Sequence, residues 1–492
     1  MAILTLIFGV WKGEKWPRIA LPFIFLFIYL AANFVYNLYF HPLARRFPGP
    51  KLWAASRLPY IYALMTGNLV RRHREFHKTY GHHVRIAPDE VSFSDEQSWN
   101  DIYAFRKGHK RALRDKTFLT TPNEEVDNII TTNDPKFHVR VRTLLSNSFT
   151  EAALRAQHPI IQRNTTNLVS SLKEIAQRPP EGNTPSVVNI TDWVNFYTMD
   201  VVSDLAFGRP FGCLENGEYH EWVRTLFTYL KFMTLAGIPR YYPLFAKLLE
   251  SLIPKSIAAG VAQHQRYADM QISKRLDTAT NRPDFMTPFM KNNANSEIMS
   301  RKEILATFNF VIVGGQETTA TVLTGLFTHI AGDKRIRKRL CDEVRGHFKT
   351  EADITIDATK DLVYLDAVLN EGLRMCNPVP CGLPRKVPPG GDTYCGVHLP
   401  GGRWLPADQR PKEFAKDRLT ASRPFSVGFH SCLGKPLAWV ELRLVITRIL
   451  WMFDLSPVPG KEVHFDDFPI LLMVQKGPVP LQIKVRDDLQ NV

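Results

Sequence analysis

The chain has 492 residues, 45% hydrophobic and 22% charged, so it can bury a large core and is not a disordered chain. Lysine and arginine exceed aspartate and glutamate by 14, a balance that suits nucleic acid, anionic lipid or an acidic protein and chooses among none of them. Six cysteines (Cys213, Cys341, Cys376, Cys381, Cys395 and Cys432) with no CxxC pair exclude a disulfide scaffold and a zinc ribbon, and fit a reducing compartment.

Ile19 to Phe40 is a 22-residue stretch without a charge. It predicts a transmembrane helix over 19–40. Trp16, Tyr36 and Tyr39 sit near its ends, where amphipathic rings prefer the interface. No small-residue cleavage site follows, as a signal peptide would require. Residues 41–50 are instead a basic, Pro-rich hinge. Arg45, Arg46 and Lys51 favour a cytosolic position for the remainder of the chain, leaving residues 1–18 as a short luminal terminus. Lys12, Lys15 and Arg18 on the other flank oppose that orientation. The sequons at Asn164 and Asn189 have meaning only if the main domain is luminal.

Length alone suggests two to four domains, yet no linker or repeat breaks residues 51–492. Val84–Ala87 and Glu90–Phe93 read as short strands. From 137 to 376 the periodicity is mainly helical. Residues 278–295 read as a surface loop, and 378–420 as turns and short strands. The tail from Phe465 predicts a strand hairpin turning at Lys476-Gly477-Pro478. Lys334–Arg339 resembles a nucleic-acid patch, but it also fits the solvated face of an amphipathic helix running to Phe348, the preferred reading. Neither GxGxxG nor GxxxxGK[ST] occurs, so redox chemistry here needs electrons delivered by something else.

Four segments carry candidate chemistry. In Pro424-Phe425-Ser426-Val427-Gly428-Phe429-His430-Ser431-Cys432-Leu433-Gly434, a Gly-containing loop brings a cysteine to the start of a helix. The helix dipole favours a thiolate there, and Gly428 and Gly434 allow close backbone approach to something flat. Taken alone, a buried structural cysteine explains the loop as well. The second segment is a helix opening on the capping-box pattern Ser300-Arg301-Lys302-Glu303, with Gly314-Gly315-Gln316-Glu317-Thr318-Thr319 at its middle. Neighbours such as Glu317 and Thr318 do not share a helix face, so they cooperate only if the helix is distorted. Third, Glu371 and Arg374 are i, i+3 on one face, which by itself is an ordinary surface pair. Fourth, His138 and Arg142 are i, i+4 on a basic helix, for which a solvated face is the plain reading.

Together these segments closely resemble the haem-binding loop, the oxygen-activation helix and the ExxR pair of the cytochrome P-450 family, of the fungal microsomal type. The resemblance runs from Tyr36-Asn37-Leu38-Tyr39-Phe40-His41-Pro42 to the tail. It implies a mainly α (α+β) fold: a single large α-rich cytochrome P-450 domain with a smaller β region, preceded by one transmembrane helix. It implies haem b with Cys432 as axial thiolate, and the chemistry of a monooxygenase that inserts one oxygen atom into a lipophilic small molecule. Phe425, Gly428, His430 and Gly434 would cradle the cofactor. His430 replaces the arginine that usually meets a propionate, and His138 and Arg142 would reach a propionate too. Thr318 would order water beside the iron and Glu317 would feed it protons. Glu371 and Arg374 would form a structural set with Arg403.

The resemblance also implies partners and a location. Electrons would come from NADPH through a partner reductase, which Lys435 and Arg443 could contact. The enzyme would sit in the endoplasmic reticulum membrane with its domain cytosolic, and bind no nucleic acid. Substrate would meet residues 104–125, 205–245, Asn309, Val313, Val379–Leu383 and Ile470–Leu472. One departure stands out. After Gly402 the chain jumps to Arg403-Trp404, omitting a strand, a turn and a short helix that relatives place there. Two alternatives to an active monooxygenase therefore remain: a haem-binding variant impaired by that deletion, or a redox-neutral haem-thiolate isomerase or dehydratase.

Overall fold

The structure is a computed structural model and describes residues 15–118, 126–178, 185–251, 254–278, 280–294, 298–405 and 422–489. The expected luminal terminus (residues 1–14), part of the expected substrate loop (119–125) and the stretch after the apparent deletion (406–421) lie outside them.

The fold is mainly α with a smaller β region, preceded by an apolar helix. That helix covers Lys15–Val35 and continues into a π-helical turn, Tyr36–Phe40. Leu21–Phe40 is long and apolar enough to cross a membrane, and none of it is buried by protein. Phe23 and Phe27 are 68% and 72% exposed, a pattern that water does not favour and lipid does.

The core is built around a 32-residue helix, Arg301–Gly332, here the long helix. The Ser300 hydroxyl accepts from the Glu303 amide and the Glu303 carboxylate accepts from the Ser300 amide, so the capping box is formed. The long helix packs on Ile190–Phe207, Lys255–Leu276, Val363–Met375 and Lys435–Met452. One buried cluster draws apolar residues from Val70 to Val485.

Ten short strands are described: β1 His83–Ala87, β2 Glu90–Phe93, β3 Leu113–Arg114, β4 Ser186–Asn189, β5 Arg385–Lys386, β6 Asp392–Tyr394, β7 Val397–Leu399, β8 Trp404–Leu405, β9 Phe453–Pro457 and β10 Pro480–Val485. They form a five-stranded sheet in the order β1-β2-β8-β5-β3, a three-stranded sheet β4-β10-β9 and the hairpin β6-β7. β8 lies parallel to β2 and antiparallel to β5. The slot between those strands is thus filled by two residues that follow directly on the apparent deletion.

Three sequence expectations change. Residues 278–295 are not simply a surface loop, because Met286–Ala294 is a helix. Phe285, Met286 and Phe289 point into the core, and Asp284 accepts from the Met286 and Thr287 amides while pairing with Arg275. The tail is not a simple hairpin about Lys476. β10 pairs with β9 and β4, and the segment before it makes only a single bridge, Ile470 to Val474. The sequons are not free surface sites: Asn164 is buried against Asp204, and the Asn189 side chain is held by Asp192 and Val479. The basic run Lys334–Arg339 does lie on a helix, Lys334–His347, with Leu340 and Val344 buried on its other face.

Candidate active site

Cys432 stands just ahead of the helix Lys435–Met452, whose first turn carries Pro436. The loop is closed by its own backbone, the Cys432 amide donating to the Phe425 carbonyl at 2.8 Å. The sulfur is exposed on one side and crowded by protein on the others. Burial pushes the thiol up, against the Gly434 and Lys435 amides and the charges of Arg142 and Lys435, which favour the thiolate. A metal cation on the sulfur reverses that balance outright.

Gly428 has φ +72°, and a Cβ there would lie 2.4 Å from the Tyr103 carbonyl oxygen. Its smallness serves the packing of the loop against Tyr103. Gly434 has no such crowding; a Cβ there would meet only the Cys432 sulfur, at 4.0 Å. Phe425 packs against the core, with the Lys435 ammonium 5.8 Å from its ring centroid.

Behind the loop lies a cluster of cationic side chains. His430 and His138 meet edge to face, with 3.0 Å between Nδ1 and Nε2. Arg111 and Arg114 both contact the His430 ring. Arg142 donates to the Ser431 carbonyl and hydroxyl at 2.9 and 3.1 Å. Arg385 adjoins them, paired with Arg114 in the β3–β5 register. Among the described residues no carboxylate pairs with any of these six. Burial, reinforced by neighbouring cations, lowers His138 to about 4 and Arg385 to about 10, and lowers Arg114 well below its ordinary value. His138 Nδ1 and Arg385 Nη1 are buried without a hydrogen-bond partner. Such a group is incomplete without an anion. Two carboxylates beside a thiolate-bound iron, as in haem b, fit both its charge and its orphaned donors.

His138, Arg142 and His430 are therefore together, as expected. Arg111, Arg114 and Arg385 were not anticipated. Arg114 and Arg385 are brought together by the pairing of two two-residue strands far apart in sequence, and Arg111 by its contact with His430.

At the middle of the long helix, Phe310, Val311, Gly314, Gly315 and Thr318 form a partly exposed stripe between buried neighbours. The helix is continuous through the two glycines. Gly315 instead permits close packing, since a Cβ there would lie 2.8 Å from Val202. Thr318 Oγ1 donates back to the Gly314 carbonyl at 2.6 Å. Glu317 lies off this stripe, buried in an ion pair with Lys476. The two residues thus face different ways. Asn309 donates to Asp269, and Val313 is buried. Two other expected substrate segments do meet: the Cys381 thiol donates to the Leu471 carbonyl at 3.0 Å.

Arg374 pairs with both Glu371 carboxylate oxygens. Arg403 is elsewhere, which corrects the expected trio: its charge acts on His41, Arg85 and Asp89. The strand register is the cause. The Val387 amide donates to the Arg403 carbonyl at 2.7 Å, and β8 follows at once. Arg443 is committed to Asp366 through two 2.7 Å bonds, whereas Lys435 is exposed. One other trio of ligand-type atoms, His83, Asp95 and Cys395, lies within 4.8 Å of one another and borders a cleft of about 910 Å³. It shares no residue with the Cys432 loop.

The helical core and the cysteine loop backed by cations define a haem-thiolate enzyme. Comparison with known proteins agrees: the family described as Cytochrome P450 matches residues 48–403 and 400–485, and the chain belongs to that family. It is similar to cytochrome P450 monooxygenase astJ of Aspergillus oryzae, 34% identical over 480 residues (92% of this chain, 94% of that one). It is similar also to cytochrome P450 monooxygenase lcsI of Purpureocillium lilacinum, 34% identical over 483 residues (93% and 92%). Averantin hydroxylase of Dothistroma septosporum is 32% identical over 486 residues (94% and 90%). The chain is accordingly an oxidoreductase, a cytochrome P450 monooxygenase.

Proposed function

We propose that this enzyme inserts one atom of dioxygen into a lipophilic secondary metabolite such as a terpenoid, polyketide or alkaloid. The observation that carries the reading is the uncompensated cluster of Arg111, Arg114, His138, Arg142, Arg385 and His430 behind the Cys432 loop. Haem b held by Cys432 would supply the activation of dioxygen.

The chain's own residues do the rest. The basic cluster would hold the propionates. The Gly434 and Lys435 amides stabilise the sulfur's negative charge. The Thr318 hydroxyl, donating to the Gly314 carbonyl, keeps lone pairs with which to accept from water on the partly exposed stripe. Glu317 is the proton source behind it. Cys381, tied to Leu471, joins two segments that would shape the substrate space.

Electrons come from NADPH through a membrane-bound reductase, and the exposed Lys435 is one contact for its acidic face. The apolar helix anchors the enzyme in the endoplasmic reticulum membrane. Arg45, Arg46 and Lys51 keep the domain spanning 51–492 on the cytosolic side.

The position of Arg403 favours a second reading, a haem-binding variant with impaired turnover. A carbon-monoxide spectrum of the reduced protein tests both. A thiolate-type Soret band, absent in Cys432→Ser, is expected. That band without reductase-driven oxygen uptake selects the impaired variant. Failure to take up porphyrin would sink the proposal, and turnover without any reductase would indicate an isomerase or dehydratase.

A further inference from the structure

Lysine in a Lys-Gly-Pro turn belongs at a surface, yet the Lys476 side chain is only 3% exposed. It forms an ion pair with Glu317, itself 7% exposed, and donates to Thr321 Oγ1 at 3.1 Å. Thr321 Oγ1 in turn donates to the Glu317 carbonyl at 2.8 Å. The second Glu317 oxygen is buried without a hydrogen-bond partner. Taking an ammonium and a carboxylate out of water is costly for each ion, so a pair this deep depends on its geometry. Burial lowers the lysine and Glu317 restores it, so the two groups are electrostatically bound to one another.

The direction of the pair matters. Consecutive residues on a helix are turned by about 100°. Thr318 belongs to the partly exposed stripe, and Glu317, one residue earlier, is drawn to the other side by Lys476. The segment that carries the lysine is tied down in the fold. The Val474 amide donates to the Pro378 carbonyl at 3.3 Å, and Leu471 receives the Cys381 thiol.

We propose that Lys476 is a positioning residue that holds the Glu317 carboxylate turned away from the Thr318 face and sets how readily it reaches water on that face. Its segment links the pair to residues 378–383, so displacement there loosens Lys476 and frees Glu317. The consequence for turnover rests on the monooxygenase reading; the restraint itself does not.

The test uses full-length holoprotein carrying Lys476→Met, Lys476→Arg, Glu317→Gln or the Met/Gln double substitution. Lys476→Gln replaces the Met variant should that one lose its carbon-monoxide band. The first readout is carbodiimide labelling of Glu317, followed by peptide mass spectrometry. Labelling should rise roughly tenfold or more in Lys476→Met, the least expected from opening a buried pair, and stay near wild type in Lys476→Arg. The second is hydrogen peroxide released per NADPH consumed with reductase and no added substrate. Lys476→Met should change it, Lys476→Arg should restore it, and the same substitution should have no effect when Glu317 is already Gln. Unchanged labelling, or a peroxide change that persists in the Glu317→Gln background, would overturn the role of Lys476. A wild-type protein lacking the thiolate band would overturn the monooxygenase reading instead, and the labelling would still judge the ion pair.

Discussion

His430 is wedged against His138, ring centroids 4.4 Å apart, with Arg111 and Arg114 on its remaining edges. A neutral imidazole offers one donor and one acceptor, and guanidinium groups only donate. The contact is therefore short of acceptors, which propionates would supply. Removing one cation should act oppositely on two states. Arg385→Met should speed haem loss by about 10–100-fold, the range for a charge-assisted hydrogen bond. In haem-free protein the same change should raise the melting temperature, since it removes a buried charge with no carboxylate partner. Haem transfer to apomyoglobin and apoprotein melting measure the two; a lowered apoprotein melting temperature would mean that Arg385 is compensated without any propionate.

Glu441, on the helix after the cysteine, is fully within the core and pushed up to about 8 by burial, with a Thr319 hydrogen bond working the other way. Its folded form prefers the proton. Stability is therefore complete at low pH and lost as pH rises from the ordinary carboxyl range through about 8. Glu441→Gln should flatten that part of the profile. Above about pH 8 it should be more stable than the parent by a few kcal/mol, since each tenfold change in proton affinity is worth about 1.4 kcal/mol. Melting temperature against pH for both proteins checks it; parallel curves would mean that the carboxyl ionises freely in the fold.

The two loop glycines should separate cleanly. Gly428→Ala combines a left-handed φ with a collision against the Tyr103 carbonyl, and should cost about 2 kcal/mol or more. Gly434→Ala meets neither obstacle and should cost the protein fold less than about 1 kcal/mol. Comparative melting of the haem-free variants decides the order.

Local patterns explain what the sequence disclosed. Ser300 and Glu303 are three residues apart and form their cap as read. Glu371 and Arg374 need only one helical turn. Lys476 reads as a turn residue because every local cue says so; its partner lies on another element, and no local rule sees a carboxylate arriving from there. Arg114 and Arg385 become neighbours only through strands too short to recognise. The helix Met286–Ala294 hides in a polar stretch because Phe285, Met286 and Phe289 are few but fully buried. Position 403 differs in kind: its motif role presupposes the usual segment before it, and the fold supplies none.

That missing segment yields the last prediction. The family match breaks into two pieces that overlap at residues 400–403. The alignment with astJ spans 480 positions but uses 92% of this 492-residue chain, about 453 residues, so about 27 positions of the relative face no residue here. Trp404 and Leu405 fill the slot between β2 and β5 with one and two register pairs respectively. Arg403 is carried with them to His41, Arg85 and Asp89, and its Nε is buried without a partner. A strand pair this short is marginal, and a buried guanidinium lacking a hydrogen bond adds to the cost. Inserting the corresponding astJ segment between Gly402 and Arg403 should therefore release Arg403 from the sheet. It should raise the melting temperature and the fraction of protein giving the reduced carbon-monoxide band. The transcript across this junction should likewise read longer if splicing was misassigned. A transcript matching the present junction, together with an insertion that leaves haem content unchanged, would establish the short sheet as a working feature of this protein.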